Sequence, residues 1–328
     1  MKNQTSLHYA TADLNHSLTN KAENLLNQQL TDWDLVKRNY TALKTVESKT
    51  VDVLGFPMQV QFNPSRIISS AAKVDPKSIQ QRPCFLCEKN RPAEQKGILV
   101  DDRYWVLVNP FPIFPKHLTI PFVEHIDQRI AGHFEDMLKL AQILPEFVLF
   151  YNGPQCGASA PDHLHFQAGS KGFIPLEIHW NAWRHFAERI IEYPDFSLLR
   201  HITYPHALLV MESSDQQTLI RWFENIYRQL ENPDNGVEPM MNLLCSWENG
   251  QWIVWLFPRR LHRPVCYFAD GAQQLLISPA SVDLAGVFIT PREEDFQKVT
   301  ASDLAIIMDE VSIPCDSLDK ICLTLRNL

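Results

Sequence analysis

The stretch 157-GASAPDHLHFQAG-169 places His163, His165 and Gln167 at every second position behind a turn of Gly, Ser and Pro. In a β-strand successive side chains point to opposite faces, so these three polar groups share one face and Leu164 and Phe166 take the other. A strand that is apolar on one side and lined by imidazoles on the other predicts the floor of a site resting on a core.

Working outward, "FVLFYNG" (147–153) is an apolar run of strand length and reads as a buried strand. Before it, "IDQRIAGHFEDMLKLAQIL" (126–144) has helical periodicity and is closed by Pro145. Further upstream, 98–125 gives two β-rich segments about a proline-dense bend, and 53–74 alternates like a strand interrupted at Pro64. Residues 1–48 read as a polar helical segment whose packed part is "LTDWDLVKRNYTAL" (30–43). Downstream, "IHWNAWRHF" (178–186) reads as a helix packed on a sheet, with His179 and His185 on its surface. "HALLVMES" (206–213) reads as a strand, 215–231 as a helix, and 241–260 as a hairpin turning at Glu248-Asn249-Gly250.

Strand, helix and hairpin thus occur twice. The expected fold class is α+β: an N-terminal helical segment (1–48), a first module carrying the motif (49–200) and a second, degenerate one (201–328), with antiparallel sheets flanked by helices. The second module has "VWLFPRR" where the first has "HLHFQ", so one chain is expected to hold one chemical centre.

The chain has 328 residues, ample for a sizeable core, and a formal charge of −8. An acidic balance argues against a nucleic-acid-binding surface. The amino terminus lacks an apolar signal region and no run is long enough to span a bilayer. Seven cysteines, an odd number, point to thiols and a cytoplasmic setting.

Cys84 and Cys87 form a Cys-x-x-Cys, a spacing that closes on one Zn²⁺ but equally suits two buried thiols or a redox dithiol. Zinc needs two further ligands. His125 and His163 are candidates, and His117 competes with His125.

These residues resemble the histidine-triad superfamily, especially its galactose-1-phosphate uridylyltransferase branch. "PCFLCEKNRPAEQKGILVDDRYWVLVNPFPIFPKHLTIPFVEHI" resembles the start of such a domain, and "YNGPQCGASAPDHLHFQ" resembles the transferase signature shared with diadenosine tetraphosphate phosphorylases. The "HLHFQA" spelling is closest to the GDP-hexose phosphorylases. The resemblance covers about 57–170, and the second module more loosely. It implies tandem histidine-triad-like modules with His165 as covalent nucleophile and a structural Zn²⁺ on Cys84, Cys87, His125 and His163. It also implies nucleotide phosphate contacts from Asn152, Ser159 and Gln167, with Arg66 of "QFNPSR" as a further one. Asp162 is an insertion relative to the usual spacing between Ser159 and His163.

The chemistry suits double displacement, in which an imidazole attacks the α-phosphorus and a second phosphate then takes the nucleotidyl group from histidine. The ring's other nitrogen must be held, here by a carbonyl expected in the Gly-Ala-Ser turn. A third histidine at 167 could protonate a poor leaving group. Gln167 cannot, but it can donate to a phosphoryl oxygen, which favours leaving groups that depart unaided. The implied activity is a nucleotidyltransferase or phosphorylase acting on a nucleotide sugar with phosphate or a sugar phosphate as the second substrate. The alternatives are a dinucleoside polyphosphate phosphorylase and a non-catalytic nucleotide-binding protein. Arg259, Arg260, His262 and Arg263 of "FPRRLHRP" read either as a phosphate clamp or as a solvated basic loop. Lys73, Lys116 and Lys171 read as surface charges near the motifs, and Asp283 as a turn residue. Two modules in one chain can imitate a dimer, so a monomer or a homodimer is expected.

Overall fold

The computed structural model describes residues 17–67, 76–230 and 238–328. Residues 1–16, Lys73 with the end of the 53–74 pattern, and Glu231 lie outside the described residues.

The strands are β1 (Glu47–Val53), β2 (Phe56–Phe62), β3 (Gly97–Val100), β4 (Tyr104–Val108), β5 (His117–Pro121), β6 (Phe147–Asn152) and β7 (His165–Ser170). They continue with β8 (Ala187–Tyr193), β9 (Phe196–His201), β10 (Leu209–Ser213), β11 (Met241–Glu248), β12 (Gln251–Pro258) and β13 (Val287–Thr290). Ten of them form one sheet in the order β3-β4-β5-β7-β6-β11-β12-β10-β9-β8. Its two halves have the same grammar. Three strands in a meander, a helix (Phe134–Ile143 or Gln216–Gln229) and a hairpin occur before β8 and again from it. The halves join where β6 and β11 run antiparallel with Asn152 opposite Asn242. The fold is therefore α+β, with a large antiparallel sheet flanked by helices.

The central strands bury both faces, so their sequences are continuous apolar runs rather than alternating ones. In β6, Phe147, Leu149 and Tyr151 enter one core while Val148 and Phe150 enter the other. The first core lies under helices Ser17–Asp32, Asp34–Leu43, Phe134–Ile143, Gln216–Gln229 and Cys315–Arg326. The second lies under a three-stranded sheet, β1-β2-β13, and helices Pro175–Trp183 and Ala301–Val311. In that small sheet β13 runs parallel to β2.

Several local expectations change. The single strand expected from residue 53 is a hairpin, because Leu54 and Gly55 take positive φ (55° and 89°) and turn the chain. Strand β1 begins at Glu47, inside the expected helical segment. The helix expected over 126–144 spans only Phe134–Ile143, since Gly132 sits at φ 79°, outside the helical region. β8 and β9 are unforeseen: β8 is half-exposed and its pairing is interrupted by a register shift between Arg189 and Ile191, which hides its period of two, while β9 is mostly buried. They pair with each other and β9 with β10, as the outer strands of the second half. The hairpin at Asn249-Gly250 is as expected, with φ of 50° and 82°. No helix among the described residues is long and apolar enough to cross a membrane.

One buried carboxylate gives the fold a pH signature. Glu238, 3 % exposed, accepts hydrogen bonds from the Tyr151 hydroxyl and from Ile130 N (2.9 Å). Burial pushes its carboxyl up to about 7. The folded state thus holds this proton more tightly than the unfolded chain, so the contribution is full below the unfolded value and is lost as pH rises through about 7. The expected loss is at most about 3 kcal/mol. Thermal melts of wild type and Glu238→Gln between pH 5 and 8 check this: the gap between the two curves should change with pH, and parallel curves would exclude it.

Candidate active site

Three separate loops bring four ligand atoms together. Cys84 and Cys87 lie on a tight turn in which Cys87 N donates to Cys84 O (3.3 Å) and the Asn90 side chain donates to the same carbonyl (2.8 Å). His125 follows β5 and His163 precedes β7. Cys84 Sγ lies 3.3 Å from His163 Nδ1, Cys87 Sγ lies 3.3 Å from His125 Nδ1 and 3.6 Å from His163 Nδ1, and the two Nδ1 atoms are 3.3 Å apart. Bond lengths of about 2.3 Å to sulfur and 2.0–2.1 Å to nitrogen at tetrahedral angles give N–N and N–S edges of about 3.3–3.6 Å. The four residues therefore fit one metal ion, with all positions filled by protein. His163 is held for this role, since its Nε2–H donates to Phe122 O (2.8 Å) and leaves Nδ1 as the ligand. His117, the competitor of His125, is elsewhere. Among the described residues, Cys84, Leu86 and Ala160 form a small apolar cluster at the turn, with Cys87 packed against it.

His165 opens β7. Leu164, Phe166 and Ala168 enter the helix-side core, so the polar face of the motif looks the other way, as the alternation requires. The His165 ring is 3 % exposed, and burial pushes its pKa down to about 4. Its Nδ1 bonds the carbonyl of His163 at 2.8 Å, two residues back rather than in the Gly-Ala-Ser turn. A carbonyl can only accept, so Nδ1 carries the proton and Nε2 keeps its lone pair.

Gln128 was not among the candidates, because its segment reads as helix. Its Oε1 accepts from His165 N (2.8 Å), and its Nε2 donates to His165 O (3.1 Å) and Asn152 O (2.9 Å). The β6–β7 ladder runs from Phe147 to Phe150, and just past its end this side-chain amide replaces the next rungs. Gln128→Met keeps the volume and strands buried backbone groups, at about 1–3 kcal/mol for each. The expected result is a Tm lower by several degrees together with slower reaction at His165, read by thermal melts and single-turnover rates.

Gln167 is oriented by a chain of donors. Ile113 N donates to His117 Nδ1 (3.1 Å), so the proton of that ring sits on Nε2. Nε2 then donates to Gln167 Oε1 (3.1 Å), and Asn109 Nδ2 donates to the same oxygen (3.4 Å). Burial pushes His117 down to about 3, which keeps it neutral. With Oε1 engaged, the Gln167 amide turns its N–H₂ away from His117. Asn152 is fixed in the same manner, its Oδ1 accepting from Asn242 Nδ2 (2.8 Å) and Ser281 N (3.0 Å).

The remaining candidates separate. Arg66, on the 3₁₀ turn Pro64–Arg66 after β2, donates to Phe111 O (2.8 Å) and lies close enough to His117 and Asp283 to affect both. Burial lowers Arg66 to about 10 and raises Asp283 to about 6. Asp283 accepts from Ala280 N and Ile289 N, which is the turn role expected. Ser159 offers its carbonyl to Arg82, whose same nitrogen bonds the inserted Asp162 at 3.1 Å. Arg259 is corrected. It is buried, and its guanidinium donates to Val311 O, Asn242 Oδ1, Pro279 O, Leu261 O and His262 O, which leaves no donor for a phosphate. Arg260 is exposed and donates to Glu310 O and Asp309 O at the end of helix Ala301–Val311, so it too serves the fold. Lys116 pairs with Glu23 and Lys171 with Glu248, while His179 and His185 are exposed. On the face of the sheet that carries Gln167, β12 presents Ile253, Trp255 and Phe257, all buried in the second core.

Comparisons agree with this architecture. Residues 25–170 match the model of a domain of unknown function (DUF4922), and 187–326 match a GDPGP1-like C-terminal domain. No curated protein matches the chain. Among solved structures, yeast Ap4A phosphorylase Apa2 superposes with a TM-score of 0.59 at 18% identity, covering 87% of this chain and 98% of that one. The fold is that of this phosphorylase. The same yeast enzyme in complex with AMP gives a TM-score of 0.58 at 18% identity (88% and 96% covered). Its complex with Ap4A gives 0.55 at 19% (85% and 97% covered).

Proposed function

We propose that the protein is a nucleotidyltransferase or phosphorylase that cleaves the pyrophosphate of a nucleotide sugar through a nucleotidyl-His165 intermediate. The observation that carries this reading is the His165 ring, with Nδ1 bonded to the His163 carbonyl and Nε2 left as the reactive lone pair. Nε2 attacks the α-phosphorus, the bond to the bridging oxygen breaks, and a sugar phosphate leaves. Phosphate or a sugar phosphate then attacks the same phosphorus and releases the histidine. The Gln167 and Asn152 amides, each with its oxygen already engaged, direct N–H donors at the phosphoryl oxygens. Gln167 supplies no proton, which suits a phosphate leaving group.

The GDPGP1-like match over 187–326 supports the nucleotide sugar. The fold shared with the Ap4A phosphorylase favours a second reading, a dinucleoside polyphosphate substrate. In both, residues Cys84, Cys87, His125 and His163 hold a structural Zn²⁺ that ties three loops to the strand carrying His165. The division into two modules, with the second contributing support rather than chemistry, belongs to the same proposal.

The deciding experiment is intact-mass analysis after incubation with a panel of nucleotide sugars and dinucleoside tetraphosphates without phosphate. One nucleoside monophosphate added per chain names the base and the substrate class. An unmodified protein across the panel excludes the covalent route.

A further inference from the structure

Arg259 touches no part of the His165 cluster, yet its bonds lead there through two amides. Its Nη1 donates to Asn242 Oδ1. An arginine has no acceptor, so this contact forces the Asn242 amide to place its oxygen toward Arg259 and its nitrogen away. That nitrogen donates to Asn152 Oδ1 (2.8 Å) and to Cys156 O (2.7 Å). Together with Ser281 N, which donates to the same Oδ1 (3.0 Å), this holds Asn152 with its oxygen toward Asn242 and its nitrogen outward, at the end of β6 beside the start of β7 where His165 stands. Asn242 is fully buried and Arg259 is 3 % exposed, so no solvent competes for these bonds. The guanidinium is itself locked by carbonyls of 261, 262, 279 and 311, all from the C-terminal part of the chain.

We infer that Arg259 and Asn242 are positioning residues, which set the direction of the Asn152 amide so that it donates to the nucleotide phosphate. This rests on the reading of Asn152 as a phosphate contact, and it assigns the second half of the chain a defined part in the reaction: the orientation of one donor.

The test is Asn242→Asp. The carboxylate still accepts from Arg259, so the buried charge keeps its partner, while the Cys156 carbonyl loses its donor, a cost in stability that a thermal melt reads separately. It cannot donate to Asn152 Oδ1, which then keeps only the bond from Ser281 N (3.0 Å) and faces a carboxylate oxygen, so the Asn152 amide is driven off its direction toward the phosphate. The expected result is an adduct formation rate at His165 lower by roughly 100-fold, the scale of one lost oxyanion donor, with Tm within a few degrees of wild type. Calorimetric titration with a nucleoside monophosphate should show weaker binding in parallel. A double-mutant cycle with Asn152→Ala separates the relay from a charge acting through space: on the Asn152→Ala background Asn242→Asp should add less than about threefold. Undiminished rate and binding in folded Asn242→Asp, or full additivity in the cycle, overturns the relay. Should wild type form no adduct, the covalent reading fails, and the binding cycle alone still decides for or against the relay.

Discussion

His165→Ala is expected to carry no nucleotide under conditions where wild type is fully labelled, and to lose turnover by about 10⁴-fold or more. The size follows from the role proposed for the ring. Without Nε2 there is no covalent intermediate, and what survives is the contribution of oriented donors to direct attack by the second phosphate. Neither effect is one of folding. The His165 backbone stays clamped by Gln128 through N–H and C=O, which alanine also has. The fold should therefore persist, with a melting temperature near that of wild type, and nucleotide should still bind. Intact mass, turnover and calorimetry on one preparation check the three statements. A labelled His165→Ala chain would move the nucleophile elsewhere and end the mechanism.

Cys84→Ser should act in the opposite way, on stability before chemistry. Among the described residues the turn's apolar company is Leu86 and Ala160, and Arg82 ties it to the loop before β7 through Ser159 O and Asp162; in the proposed site a metal would add the link to the loop after β5. In the apo chain burial pushes the Cys84 thiol up to about 11, so a metal must displace that proton to bind. Removing one sulfur should cost most of the bound zinc and lower Tm by roughly 5–10 °C. A strong chelator should do the same to wild type and little more to the variant. Full metal content with unchanged melting in Cys84→Ser would refute the site. Below its transition the variant should still form the His165 adduct, more slowly, since the Nδ1 anchor of His165 is the carbonyl of His163, one of the proposed metal ligands.

Much of this was legible because it depends on short-range rules. A period of two in "HLHFQ" puts His165 and Gln167 on one face whatever the rest of the chain does, and both neighbours are found in the core. Asn249-Gly250 makes a tight hairpin for the same local reason. The ligand set was open between His117 and His125 on spacing, and distance in the folded chain separates them.

Amide direction was not legible. Gln128 lies 37 positions from His165 and Asn242 lies 90 from Asn152, with no motif to mark either. Arg259 looked like a phosphate ligand because charge beside a strand end is all that sequence shows. Which acceptors a guanidinium meets is decided by how carbonyls from 261 to 311 converge on it. The sequence by itself determined the strand that carries His165 and the residue types of the Cys/His cluster, because periodicity and composition act within a few residues. Only the tertiary structure decided which nitrogen of each ring and amide faces the site, because a hydrogen bond is directional and its partner arrives from a distant part of the chain.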